Sequence, residues 1–106
     1  MKLYIISDYG KQIRTISDKA MDENINETMH SLDWQGFHQV ILEQSKGNSL
    51  EVGGSLDASD GFSVMLEENN KQYVIKTPPQ TIEEMIVFLS DYLSDPMNWK
   101  NTIEWY

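Results

Sequence analysis

Between Phe37 and Lys76 the apolar residues recur with a period of two, and this alternation constrains the fold more than any other feature. Four short apolar segments, FHQVILEQ, SLEV, FSVMLE and QYVIK, are separated by the turn-forming stretches SKGN, GGSLDASDG and ENNK. In SLEV, for example, Leu50 and Val52 fall on one side of an extended chain and Glu51 on the other. Short strands that follow one another through turns pair antiparallel. The region is therefore predicted to form an antiparallel meander.

The N-terminal third is predicted to supply two strands and a helix. Leu3–Ile6 is a short apolar run closed by the turn formers SDYG, and a second strand is expected over Gln12–Ile16. The next apolar residues recur at helical spacing, which predicts a helix of about four turns capped by Ser17 or Asp18. The apolar residues of this helix are Met21, Ile25, Met29 and Leu32.

The C-terminal third is predicted to hold a second helix and a last strand. Pro78–Pro79 ends the sheet, because proline cannot donate to a strand ladder. The pattern T-x-x-E at Thr81 and Glu84 predicts a capped helix start, and Asp95–Pro96 ends that helix. The tail MNWKNTIEWY is rich in aromatic residues and is expected to add a strand over Thr102–Trp105. The buried face of the helix is predicted to consist of Ile82, Met85, Ile86, Leu89, Tyr92 and Leu93.

Together these elements predict a single α+β domain over residues 1–106. An antiparallel sheet, made of the meander and of strands from both ends of the chain, would carry two helices on one face. The chain contains no cysteine, which excludes disulfides, thiol catalysis and cysteine-based zinc sites. The apolar run near the N-terminus is too short for a signal peptide or a membrane span, so a cytoplasmic location is expected.

The charge balance is strongly acidic, with 17 acidic residues against 8 basic ones and a net charge of -9. Such a field repels nucleic acids and anionic membranes and attracts cationic partners. Neither a nucleic acid nor a membrane is therefore expected as a partner. Solubility alone is an equally good explanation of the charge.

A stretch such as GGSLDASDG can cradle a phosphate, bind calcium, expose a nucleophile or simply connect two strands. A phosphate cradle requires a following helix and often a lysine, whereas a strand follows here. A calcium loop requires ligands at alternating positions, whereas Asp57 and Asp60 are three residues apart. A nucleophile elbow, G-x-S-x-G, requires a second glycine that GGSLD lacks. The stretch is therefore interpreted as a connection between strands, with a bulge or tight bend at Gly53–Gly54.

No catalytic or metal-binding pattern appears elsewhere in the sequence. The two histidines, His30 and His38, have no spacing typical of a metal site, and no nucleophile with an evident base accompanies them. Neighbouring carboxylates such as Glu67 and Glu68 point apart on a regular element, so they are read as solvated. The sequence therefore predicts neither an enzyme nor a cofactor.

Three stretches of the chain carry a resemblance to a known family. They are LEVGGSLDASDGFSVMLEENNKQYVI, TPPQTIEEMIVFL and the closing WKNTIEWY, within the region from Trp34 to Tyr106. This region resembles the small immunity proteins of bacterial contact-dependent inhibition and related polymorphic-toxin systems. The resemblance implies a non-catalytic protein that binds a cognate toxin C-terminal domain and blocks its active site or substrate path. Many such toxins are nucleases with basic surfaces, and electrostatic attraction would make their association with an acidic protein fast.

On this hypothesis the partner is contacted by exposed acids and aromatic residues. Trp99 and Trp105 have an alternative interpretation as core anchors. The predicted contact residues are Asp57, Asp60, Glu67 and Glu68 on the loop and hairpin ends, with Trp99, Trp105 and Tyr106 in the tail.

Two hypotheses from other classes remain open on the sequence. The first is a small ligand-binding or hydrolytic domain, whose pocket would be lined by the sheet with Trp34, His38 and Asp60. The second is an adaptor subunit of a larger assembly. A deep pocket with two convergent titratable groups would favour the enzyme, whereas a flat acidic face would favour the binding protein.

Overall fold

The computed structural model describes the whole chain, Met1–Tyr106, as one six-stranded antiparallel sheet with two helices. The strand order is β2-β1-β3-β4-β5-β6, so β3 to β6 form the predicted meander and β1 and β2 extend it at one side. The α+β prediction is confirmed. The strands are β1 (Lys2–Ser7), β2 (Gln12–Ser17), β3 (His38–Ser45), β4 (Asn48–Gly54), β5 (Phe62–Glu68) and β6 (Lys71–Val74), and the helices are α1 (Asp22–Ser31) and α2 (Ile82–Ser94).

One face of the sheet packs against both helices and forms the core. Leu50 and Val52 on β4 are fully buried on this face, and Glu51 points to the other face, as the alternation predicted. A single cluster of 17 buried hydrophobic residues joins the inner face of the sheet to α1 and α2. Burial of apolar area at about 25 cal/mol per Å² makes this cluster the main source of stability.

Helix α2 begins as its sequence pattern predicted. The Thr81 hydroxyl accepts a hydrogen bond from the Glu84 amide at 3.1 Å. The Glu84 carboxylate reaches back to the amide of Gln80 at 2.8 Å, one residue before the cap. Both bonds satisfy amides that the helix itself leaves without partners. Met85, Leu89 and Tyr92 lie on the buried face, and the helix ends at Ser94, directly before Asp95 and Pro96.

The predicted start and length of α1 are wrong. Ser17 is the last residue of β2, and the helix begins only at Asp22 and has 10 residues instead of about four turns. The chain between them is held by the sheet, because the Ala20 amide donates to the Met1 carbonyl at 2.8 Å. The helix cannot begin until this pairing ends. Its first turn is then closed by the Asn24 side chain, which accepts a hydrogen bond from the Met21 amide at 2.8 Å.

The predicted C-terminal strand is reduced to a single β-bridge. Trp99–Thr102 forms a 3-10 turn, and only the pair Ile75 and Trp105 is bridged. The turn folds the chain back so that the indole rings of Trp99 and Trp105 meet edge to face at 5.8 Å. The Trp105 indole nitrogen also donates to the Lys100 carbonyl at 3.1 Å. Side-chain packing therefore decides the path of the tail.

Candidate binding surface

The β4–β5 loop, residues 55–61, is a seven-residue connection with a glycine of positive φ at each end. Gly54 has φ +128° and Gly61 has φ +63°, both values that residues with a side chain rarely adopt. A side chain at Gly54 would also collide with the Gly61 carbonyl. Gly53 and Gly54 pair with β3 and β5 in an unbroken register, so no β-bulge occurs at these two residues. The Ser55 amide donates to the Gly61 carbonyl at 3.1 Å, and the Leu56 amide donates to the Trp34 carbonyl at 2.7 Å. The first hydrogen bond closes the base of the loop, and the second attaches the loop to the segment that follows α1.

The two loop acids take part in this turn. Asp57 accepts hydrogen bonds from the Ser59 amide at 2.9 Å and from the Ser59 hydroxyl at 2.8 Å, which lowers the pKa of its exposed carboxyl. Asp60 accepts a hydrogen bond from the buried Ser55 hydroxyl at 2.7 Å. Both carboxylates therefore shape the loop while they remain at the protein surface.

The lowered pKa of Asp57 predicts a pH-dependent contribution to stability. The folded state favours the ionised carboxyl, so the contribution is present above the usual value of 3.8 and is lost as pH falls through the lowered value. Asp57→Asn is therefore expected to melt below the native protein at pH 7, and the two melting temperatures should converge in acid. Melting curves from pH 7 to about pH 2.5 measure this. Asp18→Asn, on a carboxyl without hydrogen bonds, is the matched control, and a gap that persists unchanged in acid would contradict the prediction.

The two acids at the other end of β5 lie on opposite faces of the sheet. Glu68 forms an ion pair with Lys100 on the helix side. Glu67 lies on the face away from the helices, opposite Ser49. A strand of seven residues separates this end of β5 from the β4–β5 loop, a distance of about 20 Å. The predicted contact residues therefore do not form a single patch.

The aromatic residues of the tail divide between the core and the surface. Trp99 is only 8% exposed and packs against Phe88, Tyr92 and Trp105, so the core interpretation holds for it. Trp105 is half-buried against the same cluster. Tyr106 is 78% exposed, and its ring lies 5.8 Å from the Lys76 ammonium. Of the three, only Tyr106 is a freely exposed aromatic side chain.

The sheet face opposite the helices is a surface that the sequence analysis did not identify; we call it the open face. Its centre is apolar and is made of strand residues that alternate with those of the core. Ile41 lies in the middle and is only 3% exposed, although it does not belong to the main core cluster. Ile13 is 67% exposed at one side, and Val74 is 42% exposed at the other. The apolar residues of the open face are Tyr4, Ile6, Ile13, Ile41, Met65 and Val74.

Three half-buried carboxylates lie among these apolar residues. Glu51 on β4 is the direct cross-strand partner of Ile41. Glu43 on β3 and Glu67 on β5 both lie diagonal to Glu51. Burial raises the pKa of Glu51, the Glu67 carboxylate raises it further, and a hydrogen bond of 3.1 Å from the Gln39 amide opposes both effects. Burial also raises the pKa of the Tyr4 hydroxyl, and the same three carboxylates add to that rise. Glu43, Glu51 and Glu67 thus create a negative field around Tyr4 on the open face.

No cation compensates this field through an ion pair. The ion pairs of the protein are Lys100 with Glu68 and His30 with Glu83, and neither lies on the open face. Lys2 is the one basic strand residue of the face, and its ammonium lies over the Tyr4 ring, 5.3 Å from the centroid. Lys2 is also the direct cross-strand partner of Glu43. The carboxylates without a basic cross-strand partner are therefore Glu51 and Glu67, which repel each other, and a cationic partner would relieve that repulsion.

A pattern in the sequence does indicate this surface in retrospect. In VILE of β3 and VML of β5, the apolar residues occupy both parities of the strand, so Ile41 and Met65 require burial on the second face. Glu43, Glu51 and Glu67 all fall on that parity. The sheet register that brings them together is long-range, however, and no local pattern contains it.

The residues of the alternative pocket do not line a common cavity. Trp34 is buried, donates to the Met29 carbonyl at 2.9 Å and contacts the edge of His38. His38 lines a cavity of about 290 Å³ on the helix side, whereas Asp60 lines two other cavities. No group of three or more histidine, aspartate or glutamate side chains converges as a metal site.

His38 nevertheless makes two hydrogen bonds that the sequence did not indicate. Its Nε2 lies 2.8 Å from the Asp33 carbonyl, which can only accept, so Nε2 carries the proton. In the neutral ring, Nδ1 then accepts the hydroxyl hydrogen of Ser7, at 2.8 Å.

Comparison with known proteins adds no relative to this description. No family model, curated protein or solved structure matches the chain. No helix is long and apolar enough to cross a membrane.

Proposed function

We propose that the chain is an immunity protein that binds a cationic toxin domain, of the nuclease type, and occludes its active site or substrate path in the cytoplasm. The observation that carries the proposal is the open face, an apolar centre with three half-buried carboxylates, two of which, Glu51 and Glu67, have no basic cross-strand partner. It adds to the resemblance of the region from Trp34 to Tyr106 to immunity proteins. The toxin domain is the partner whose chemistry this face fits.

The apolar and acidic parts of the open face serve different purposes in such a complex. Burial of Ile13, Met65 and Val74 contributes affinity, because apolar area is removed from water. Glu43 and Glu67 attract a basic surface over a distance and fix its orientation. Because these side chains project from paired strands, whose backbone is already ordered, little conformational entropy is lost when the partner binds.

The loop acids extend this face at one end. Asp60 and Glu51 line the same small cavity, so the β4–β5 loop borders the open face. Of the predicted contact residues, Asp60 and Glu67 therefore belong to the proposed surface, with the fully exposed Asp57 beside it. Glu68 is already paired with Lys100 and Trp99 is buried, so neither is proposed as a contact.

The proposal predicts protection and a salt-dependent association rate. Expression of the cognate toxin domain alone should stop bacterial growth, and co-expression of this chain should restore it. The association rate should fall by about tenfold or more between low and physiological salt, while dissociation changes less. Stopped-flow or surface-based kinetics measure both rates. An association rate indifferent to salt would show that the charge of -9 serves only solubility.

A hydrolytic function is the second candidate, favoured by the Ser7–His38 hydrogen bond beside Arg14 in a cavity of about 290 Å³. Ser7 and His38 are also direct cross-strand partners of β1 and β3, so their contact follows from the register alone. Turnover of an ester substrate that disappears in both Ser7→Ala and His38→Ala would favour this function over toxin binding.

A further inference from the structure

A narrow slot opens on the open face where β3, β4 and β5 approach the β4–β5 loop. Its volume is about 110 Å³. Gly53 forms the floor, with Gln39 on β3 and Ser63 on β5 as its direct cross-strand partners. Because Gly53 has no side chain, a gap remains between the side chains of its two neighbours. A Cβ atom at Gly53 would lie 2.8 Å from the His38 carbonyl, so the close approach of β3 and β4 keeps this gap open.

The walls of the slot combine an aromatic ring with acceptor groups. The Phe37 ring is held in place by a parallel stack on Tyr9, with 5.1 Å between the ring centroids. Glu51 and Asp60 contribute carboxylates from a strand and from the loop. No lysine, arginine or histidine lines the slot, so nothing within it neutralises these two acids.

The position of Glu51 determines the sign of the charge that a ligand of the slot must carry. Its carboxyl is half-buried among apolar residues and is repelled by Glu67, which together raise its pKa. A cation placed beside it would reverse both effects, whereas a neutral group would leave the repulsion in place. Drug-sized ligands require pockets of about 300–1,000 Å³, so a slot of 110 Å³ admits only the head group of a side chain.

We infer that this slot receives an arginine side chain of the cationic partner. A guanidinium is planar, so it can stack on the Phe37 ring while its five donors reach acceptors on more than one wall. A lysine ammonium is compact, has three donors and is more strongly hydrated, so it fits a slot with a flat ring less well. The inference rests on the proposed function, because it names the group by which the toxin domain would be recognised.

The slot can be tested without a toxin by titrating the full chain with Nα-acetyl-arginine methylamide in two-dimensional amide NMR. Saturable shifts are expected at the amides of Gly53, Gly54, Gly61 and Ser63, with a dissociation constant on the order of millimolar for so small a ligand. The citrulline analogue, which is isosteric and uncharged, should give no such shifts, and the lysine analogue should bind more weakly. The inference would be overturned if the amide signals of the slot did not shift, or if the amides of acidic residues far from the slot shifted as much as those of the slot.

Two substitutions of Ser63 provide the matched structural test. Ser63→Phe places a ring over Gly53 and fills the slot, and an aromatic residue next to a strand glycine favours the strand. Ser63→Ala leaves the slot open. Ser63→Phe is expected to abolish the arginine shifts and to weaken the toxin complex at least about thirtyfold. Ser63→Ala removes only a hydroxyl, so it should keep the arginine shifts and should weaken the complex by less than about fivefold.

The outcomes separate the slot from the proposed function. If Ser63→Phe still shows the arginine shifts, or binds the toxin domain with native affinity, the slot assignment is wrong although the chain remains a toxin-binding protein. If the native chain binds arginine in the slot but fails to protect cells from the toxin, the proposed function is wrong and the slot stands.

Discussion

Replacing Glu51 with glutamine is expected to weaken the complex with the toxin domain by about thirtyfold to several thousandfold, while it stabilises the free protein. The loss reflects about 2 to 5 kcal/mol for truncation of one partner of a desolvated charge pair. The gain follows from the raised pKa of Glu51, because the folded state resists ionisation of this carboxyl. Glutamine keeps an acceptor for the Gln39 amide and removes the repulsion from Glu67.

The pH dependence of this gain has a definite sign. Below the usual value of 4.5 the carboxyl is protonated in both the folded and unfolded states, so Glu51 carries no electrostatic penalty. As pH rises through the raised folded value, the native protein loses stability that Glu51→Gln retains. The melting temperature of the variant should therefore exceed that of the native protein at pH 7, and the two should approach each other near pH 4.

Glu27→Gln is the matched control for Glu51→Gln. Glu27 is exposed on α1, on the helix side of the sheet, and its removal changes the net charge equally. Calorimetric titration of both variants against the toxin domain, beside melting curves, distinguishes the open face from charge in general. Equal losses of affinity in the two variants, or a native affinity for Glu51→Gln, would contradict the proposed surface.

Replacing Trp99 with alanine is expected to lower the free energy of unfolding by about 3 to 5 kcal/mol. Trp99 is 8% exposed and makes edge-to-face contacts with Phe88, Tyr92 and Trp105 at 5.8 to 6.0 Å. The substitution leaves a cavity between α2 and the tail. Since small domains are stable by only about 5 to 15 kcal/mol, the variant should unfold at much lower denaturant.

Tyr106→Ala is the control for Trp99→Ala, because it truncates an aromatic residue of the same tail that is 78% exposed. The loss should stay within about 1 kcal/mol, the value of an exposed cation–π contact with Lys76. Urea titrations followed by tryptophan fluorescence and by circular dichroism compare the variants. If Trp99→Ala retained native stability while its toxin affinity fell, Trp99 would be a contact residue instead of a core anchor.

The elements that were predicted correctly depend on information within a few residues. The meander follows from alternation in each strand, and its turns carry residues suited to positive φ, such as Gly47, Asn69 and Asn70. Helix α2 follows from its cap at Thr81, its apolar period and its stop at Pro96. Each of these signals is local, so the sequence by itself determines them, together with the acidic charge of the chain.

Only the tertiary structure decided which residues share a surface. Helix α1 begins late because Ala20 is paired with Met1, and the tail turns because Trp99 and Trp105 pack together. The open face exists because six strands adopt one register, which brings Glu43 and Glu67 to the two sides of Glu51. The physical reason is that such pairings join residues far apart in the chain, and their energy is realised only when both partners are in place.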